Sequence, residues 1–218
     1  MIGRPASHTI DGPAGLLEVV IEEPARAPVG LAVIAHPHPL QGGTMDNKVV
    51  HTLCRAFVLA GWRAVRFNFR GVGQSEGGWD EGRGETTDLL TVIAHHLTDP
   101  ALNGLPLALA GFSFGGYVAA QAHARLSEAA ANRPELVAPK QLVLISPATS
   151  RYEVPEVPAH TLVVEGEQDD VVPLASILDW ARPQGLPVTV VPGTGHFFHG
   201  KLTVLREVVL RHLRAAAV

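Results

Sequence analysis

Gly111-Phe-Ser-Phe-Gly-Gly116 is the stretch that decides the fold of this chain. An apolar run at 105–110 precedes it, and a segment with helical periodicity at about 114–130 follows it. The stretch therefore predicts a strand, a tight turn and a helix, with Ser113 at the apex of the turn. A serine in such a turn takes a strained backbone conformation, and glycines flank it because larger side chains would collide. The N-terminus of the following helix favours a negative charge that develops beside the serine.

The segments on either side of this turn alternate between short apolar runs typical of strands and longer segments with helical periodicity. The strand pattern occurs at 16–21, 31–35, 63–69, 105–110, 141–145, 161–165 and 188–191. The helical pattern occurs near 47–60, 85–97, 114–130, 174–181 and 201–213. This alternation predicts an α/β fold, with a mostly parallel central sheet of about seven strands and helices on both faces.

Length and composition predict a single domain over residues 1–218 with a sizeable core, since 46% of the residues are hydrophobic. The formal net charge is −4 and the chain has three lysines, so we expect neither a nucleic-acid partner nor a membrane partner. Cys54 is the single cysteine, and the sequence after Met1 does not read as a signal peptide. Both observations predict a cytoplasmic protein, whereas the oligomeric state is not indicated.

Ser113, Asp169 and His196 each come shortly after the end of a predicted strand. A serine hydroxyl becomes a strong nucleophile when a neutral imidazole accepts its proton, and a carboxylate holds that imidazole in the required tautomer. We therefore predict that Ser113 is a nucleophile, His196 a general base and Asp169 the orienting acid. Taken singly, the aspartate could be a turn residue and the histidine an ordinary loop residue. Their occurrence together and in register with the strands favours the catalytic interpretation.

Asp170 competes with Asp169 for the role of the acid, because two adjacent side chains cannot both point at one imidazole. Asp170 precedes a Val-Val-Pro segment and the helix predicted at 174–181, where a carboxylate is a natural helix cap. We therefore predict that Asp169 is the acid and Asp170 is not.

A serine nucleophile of this kind needs two backbone N–H groups to stabilise the oxyanion that forms on the substrate. Phe114, which follows the serine, is predicted to supply one of them. The second is expected from the loop after the strand at 31–35, where prolines carry no N–H and leave His38 and Leu40 as candidates. We favour Leu40.

Four motifs in order along the chain resemble the small bacterial α/β-hydrolases close to the dienelactone hydrolase group. They are His36-Pro-His-Pro-Leu-Gln-Gly-Gly43, Arg66-Phe-Asn-Phe-Arg-Gly-Val-Gly-Gln-Ser75, Gly111-Phe-Ser-Phe-Gly-Gly116 and Gly195-His-Phe-Phe-His199. The resemblance implies a cytoplasmic, cofactor-free serine or cysteine hydrolase that cleaves small-molecule carboxylic esters through an acyl-enzyme, here on Ser113. True dienelactone hydrolases have cysteine at that position, so dienelactone is not the expected substrate.

No lid domain fits between the strands predicted at 141–145 and 161–165, because the intervening loop is short and contains several prolines. An open site is therefore predicted. Its apolar walls are expected from four side chains, Leu40, Phe114, Phe197 and Phe198.

Several other functions remain as alternatives. A thioesterase, lactonase or peptidase would use the same three residues, although the chain has no basic cluster to hold the phosphates of coenzyme A. A ligand-binding protein without turnover would share the fold, but it gains nothing from the three residues. Zinc could bind the histidine pairs 36/38 and 196/199, yet no cysteine cluster or H-E-x-x-H helix supports a metal site, so we expect none.

Overall fold

The structure, a computed structural model, describes residues 6–133 and 136–216. Within these ranges the chain forms eight strands, β1 to β8, at His8–Gly12, Gly15–Glu22, Leu31–Ala35, Arg63–Phe67, Leu107–Phe112, Pro139–Ile145, Leu162–Gly166 and Val188–Val191. The same ranges contain five α-helices, α1 to α5, at Lys48–Leu59, Arg83–His96, Phe114–Asn132, Leu174–Ala181 and Leu202–Ala215.

The described strands form one sheet in the order β1-β2-β4-β3-β5-β6-β7-β8. Strands β3 to β8 run parallel to one another. At one edge β2 pairs antiparallel with β4, and β1 pairs antiparallel with β2. The prediction of a mostly parallel sheet is therefore confirmed. After β3 the chain continues to β4 on one side of the sheet, and after β5 it continues to β6 on the opposite side. The loops after β3 and β5 therefore diverge. A cleft between such diverging loops is where parallel sheets of this kind bind ligands.

The strand β1 was not predicted from the sequence. Its residues, His-Thr-Ile-Asp-Gly, include types that are depleted in strands, and only Ile10 among them is buried. The strand exists because it pairs with β2, from His8 opposite Val19 to Gly12 opposite Gly15. Its formation depends on a neighbour rather than on its own residues.

Helices cover both faces of the sheet, as predicted. On one face α1 and α5 pack against the sheet through buried side chains that include Leu53, Phe57, Leu205 and Val209. On the other face α2 and α3 pack through Leu89, Val92, Val118 and their neighbours. Each of these large apolar side chains stabilises the fold by about 1.5–3 kcal/mol when fully buried. The central strand β5 is buried on both faces, which is why it has a continuous apolar sequence.

The connection between β6 and β7 contains no lid. Residues 146–161, all of which the structure describes, form turns and extended chain without a helix. In the described ranges, no helix combines the length and apolar character needed to cross a membrane.

Candidate active site

Ser113 lies at the sharp turn between β5 and α3, where the sequence predicts it. Its φ of +56° and ψ of −119° place it in a strained region of backbone conformation. The space around the turn explains the flanking glycines: a Cβ on Gly111 would collide with the carbonyl oxygen of Gly115, and a Cβ on Gly115 with that of Ala35. The turn therefore requires glycine on both sides of the serine.

The three residues predicted to converge do so at the carboxyl ends of β5, β7 and β8. The Nε2 atom of His196 lies 3.0 Å from the Oγ of Ser113. The Nδ1 atom of the same ring lies 2.6 Å from the Oδ2 of Asp169. A carboxylate accepts, so Nδ1–H donates to Asp169 and Nε2 is left to accept the serine proton. This is the tautomer that a general base beside a serine nucleophile requires.

Asp169, and not Asp170, is the carboxylate beside the imidazole. The second oxygen of Asp169, Oδ1, accepts from the N–H groups of Val171 at 2.9 Å and Val172 at 2.7 Å. Burial raises the pKa of Asp169, but the hydrogen bonds it accepts, from His196 above all, outweigh burial and hold that pKa below its usual value. Asp170 is exposed, and it does not cap α4, which begins after Pro173.

Two aromatic rings hold the imidazole of His196 in place. The ring of Phe112 lies on one side, with its centroid 4.8 Å from that of the imidazole. The ring of Phe197 meets the imidazole edge-on at 5.2 Å. The loop that carries His196 is tied back to the acid loop by the N–H of Gln168, which donates to the Thr194 carbonyl at 2.9 Å. These contacts fix the imidazole between acid and nucleophile.

A small cavity opens beside the Ser113 hydroxyl. Its volume is about 100 Å³, and its lining residues are Pro37, His38, Gln41, Gly42, Gly43, Asn47, Ser113, Val171, His196 and Phe197. The loop between β3 and α1 contributes six of these ten residues. The two diverging loops of the sheet therefore enclose the site, as the strand order requires.

Phe114 is the first residue of α3, so its N–H has no partner within the helix and lies next to the nucleophile. The prediction for Leu40 is not supported: its N–H donates to the Nδ1 of His38 at 3.2 Å, within a short 3₁₀ turn. The alternative, His38, lines the cavity, and its N–H has no hydrogen-bond partner among the described residues. His38 replaces Leu40 as the candidate for the second donor.

The pocket predictions are right for Phe197 and wrong for the other three side chains. Phe197 lines the cavity and is 46% exposed. Phe198, whose backbone has a φ of +52°, turns the opposite way and is fully buried between the sheet and α5. Phe114 is buried in the core on the other face of the sheet, and Leu40 faces solvent. Neither of these lines the cavity.

The histidine pairs do not form a metal site. Both ring nitrogens of buried His36 are engaged: Nδ1–H donates to the Pro37 carbonyl at 2.6 Å, and Nε2 accepts from the Phe69 N–H at 3.0 Å. Burial lowers the pKa of His36 to about 3, so the ring stays neutral. His199 is exposed and stacks on Phe197. Among the described residues, no group of three or more metal-ligating side chains could hold a metal ion.

Two features of the site were not identified from the sequence. The ring of His38 stacks on Trp79 at 4.5 Å, and its Nε2 lies 3.0 Å from the Tyr152 hydroxyl. Trp79 and Tyr152 are distant in sequence from His38, so no local pattern could indicate this contact. The second feature is Glu165, a buried carboxyl group next to Asp169. In the sequence, Glu165 could have been noticed as an ionisable residue within an otherwise apolar strand.

Comparisons with known proteins agree with this geometry. A family model described as serine aminopeptidase, S33, matches residues 38–166. A lidless α/β serine hydrolase from Xanthomonas campestris is 36% identical, with a TM-score of 0.86 over 99% of this chain and 96% of its own. An α/β serine hydrolase homologue from Coxiella burnetii is 38% identical, with a TM-score of 0.82 over 98% and 99% of the two chains. A dienelactone hydrolase from Anabaena variabilis has a similar fold at 19% identity, with a TM-score of 0.70 over 98% and 99% of the two chains.

Proposed function

Because this chain belongs to the serine aminopeptidase S33 family of α/β serine hydrolases, we propose that it hydrolyses small carboxylic esters through an acyl-enzyme on Ser113. The observation that carries the proposal is the 3.0 Å contact between His196 Nε2 and Ser113 Oγ at the wall of a cavity. A serine with a neutral imidazole at this distance is a nucleophile with its base already in place.

The reaction follows from the positions of the atoms. Ser113 Oγ attacks the ester carbonyl carbon while its proton passes to His196 Nε2, and Asp169 stabilises the resulting imidazolium. The N–H groups of Phe114 and His38 donate to the oxyanion. The C–O bond to the alcohol then breaks, and the alcohol leaves with the proton from Nε2. Water attacks the acyl-enzyme by the same steps, which releases the carboxylic acid and restores Ser113.

The cavity favours a short acyl group. Its volume of about 100 Å³ is small beside the roughly 300–1,000 Å³ of a typical ligand pocket, which favours a short acyl chain over a long one. Phe197, which lines the cavity and is partly exposed, would contact the rest of the substrate. We expect acetyl and propionyl esters to be cleaved faster than octanoyl esters.

A peptidase is the second candidate, since the matched family model is described as serine aminopeptidase. An aminopeptidase has to bind the positively charged amino terminus of its substrate, which a nearby carboxylate would do best. Among the described residues that line the cavity, none has an acidic side chain. This lining supports an uncharged acyl group over an amino-terminal residue.

The substrate is proposed to be a small-molecule ester, and the reaction as written needs no metal or cofactor. We also propose a cytoplasmic location, which the state of the single cysteine supports. Cys54 is buried and free, and burial raises the pKa of its thiol far above the usual range.

The first test is covalent labelling of the folded protein by a fluorophosphonate, followed by a panel of substrates. Labelling should require Ser113, and Ser113→Ala should abolish it. The panel comprises p-nitrophenyl esters of increasing chain length, lactones, acyl thioesters and aminoacyl p-nitroanilides. The proposal expects short esters to have the highest kcat/KM. Folded wild-type protein that is not labelled would instead indicate a ligand-binding protein, and preferred cleavage of the anilides would indicate a peptidase.

The second test separates the two adjacent aspartates. Asp169→Asn should lower kcat by about 10⁴, because the imidazole loses the carboxylate that selects its tautomer. Asp170→Asn is the matched control and should change kcat less than about threefold, since that side chain is exposed and the substitution is conservative. An equal loss in both variants would contradict the assignment of Asp169.

A further inference from the structure

Glu165 lies near the end of β7, four residues before Asp169, and its side chain is fully buried. One of its oxygens, Oε1, accepts from the Ser146 hydroxyl at 3.0 Å and from the Gly166 N–H at 2.9 Å. The other oxygen, Oε2, is buried and has no hydrogen-bond donor among the described residues. A buried carboxylate oxygen without a donor is costly, so this oxygen needs an explanation.

The neighbour of Glu165 is the Asp169 carboxylate. Two buried carboxylates in contact cannot both be ionised, because like charges repel and neither is solvated by water. Asp169 accepts from His196 Nδ1 and from two backbone N–H groups, so the negative charge is best stabilised there. The proton therefore belongs on Glu165. Since Oε1 already accepts from two donors, that proton belongs on Oε2.

We propose that Glu165 is a positioning residue, held in its acid form, whose Oε2–H donates a hydrogen bond to the Asp169 carboxylate behind His196. This inference rests on the proposed function only in that Asp169 and His196 are taken to serve catalysis. The hydrogen bond gives Asp169 a further donor, which holds the carboxylate oriented toward the imidazole. It also keeps Asp169 in its ionised form, so that the imidazolium formed during the reaction faces a negative charge.

The electrostatics of the site agree with this placement of the proton. Burial, and after it the contact with Asp169, raises the pKa of Glu165 to about 9. Asp169 is the titratable group that faces Glu165, with His196 beyond it, while Ser146 and Gly166 contribute neutral donors. Glu167, the next acid along the chain, is exposed and accepts instead from the Gly193 N–H at 2.8 Å.

The raised pKa also has a defined effect on stability. The unfolded chain releases this proton near pH 4.5 and the folded protein near pH 9, so the folded state binds the proton more tightly between these values. The stability that Glu165 contributes is present below about pH 4.5 and is lost as the pH rises toward 9. Glu165→Gln does not titrate, so the Tm of the variant relative to the wild type should rise across this interval.

The test compares Glu165→Gln with Glu165→Leu by the rate of fluorophosphonate labelling as a function of pH. Glutamine keeps a donor for Asp169 and an acceptor for Ser146 and Gly166, so its rate at pH 7 should lie within about threefold of the wild type. Leucine removes the donor, and the rate should fall by about 10- to 100-fold. Above about pH 9 the wild-type rate should fall as Glu165 ionises, whereas the Glu165→Gln rate should hold.

A second readout does not depend on activity. The carboxyl carbon of ¹³C-labelled Glu165, assigned by its absence in Glu165→Gln, should titrate near pH 9. A titration near pH 4.5, or a Glu165→Gln variant as slow as Glu165→Leu, would overturn the inference. If Glu165→Leu does not fold, the pH profile of Glu165→Gln and the carbon titration still decide it. If the wild type is not labelled at all, the proposed function fails. The titration of the Glu165 carboxyl carbon then still shows whether Glu165 is protonated at neutral pH.

Discussion

Two segments that face each other across the cavity, the nucleophile turn at 111–116 and the loop at 36–43, reach their conformations by different physical routes. The turn depends mainly on its own residues, because Ser113 has a positive φ and a Cβ on Gly111 would collide with the carbonyl oxygen of Gly115 within the same turn. The loop is held by residues far away in sequence. Local steric constraints of the first kind can be recognised in a sequence, whereas long-range anchoring of the second kind cannot.

The loop has two anchors, and both are histidines. His36 links the end of β3 to the chain after β4 through the Phe69 N–H. His38 contacts Trp79 and Tyr152, which belong to two other loops. The N–H of His38 faces the cavity. It is therefore positioned by contacts with residues that are distant in the sequence. Three substitutions with matched controls test how far the two segments differ in this way.

The largest effect is expected from Gly115→Ala in the turn. The added methyl group would collide with the carbonyl oxygens of Ala35 and His36, so the β5 to α3 connection cannot keep its conformation. We expect a loss of about 4 kcal/mol or more in the free energy of unfolding, or no folded protein. Gly78→Ala is the control, because a Cβ there meets nothing within 4 Å. Equal urea midpoints for the two variants would show that the turn does not need the space that Gly115 leaves beside the end of β3.

The second effect concerns the backbone N–H of His38. The φ of His38 is −54°, which proline accepts, so His38→Pro removes the N–H together with the ring and keeps this φ. His38→Ala also removes the ring but keeps the N–H, so the difference between the two variants isolates the donor. We expect kcat to be about 10²- to 10³-fold lower in His38→Pro than in His38→Ala. Equal kcat values would assign the second oxyanion donor to another group.

The smallest effect separates the two anchors of the loop. His36→Ala leaves the buried Phe69 N–H without an acceptor and should lower the free energy of unfolding by about 2–3 kcal/mol. Tyr152→Phe removes a partly buried hydroxyl that contacts His38 and should cost less than about 1 kcal/mol. Urea denaturation measures both. A larger cost for Tyr152→Phe would place the main anchor of the loop at His38 instead of His36.

The fold and the catalytic residues could be predicted because each depends on a strong local pattern. Apolar runs of strand length and helical periodicities located seven of the eight described strands and all five described helices. The matches to a lidless α/β serine hydrolase and to a second α/β serine hydrolase homologue confirm the resemblance that the four motifs indicate. Asp169 was preferred to Asp170 because Asp170 was expected to cap the next helix. Asp169 does contact the imidazole, but Asp170 does not cap that helix.

The errors share a physical cause, which is that they concern the direction of a side chain or an N–H group within a loop. Phe197 and Phe198 are chemically identical neighbours, yet Phe197 lines the cavity and Phe198, which has a positive φ, lies in the core. The N–H of Leu40 is taken by the ring of His38. Neither outcome follows from residue type.

By itself, the sequence determined the order of strands and helices, the strained turn at Ser113 and the three residues that meet beside it. These follow from periodicity and from steric limits that act within a few residues. Only the tertiary structure decided that β1 joins the sheet, that His38 rather than Leu40 has a free N–H, and that Glu165 lies against Asp169. These depend on which distant groups come into contact, because a hydrogen bond or a pKa is set by neighbours in space.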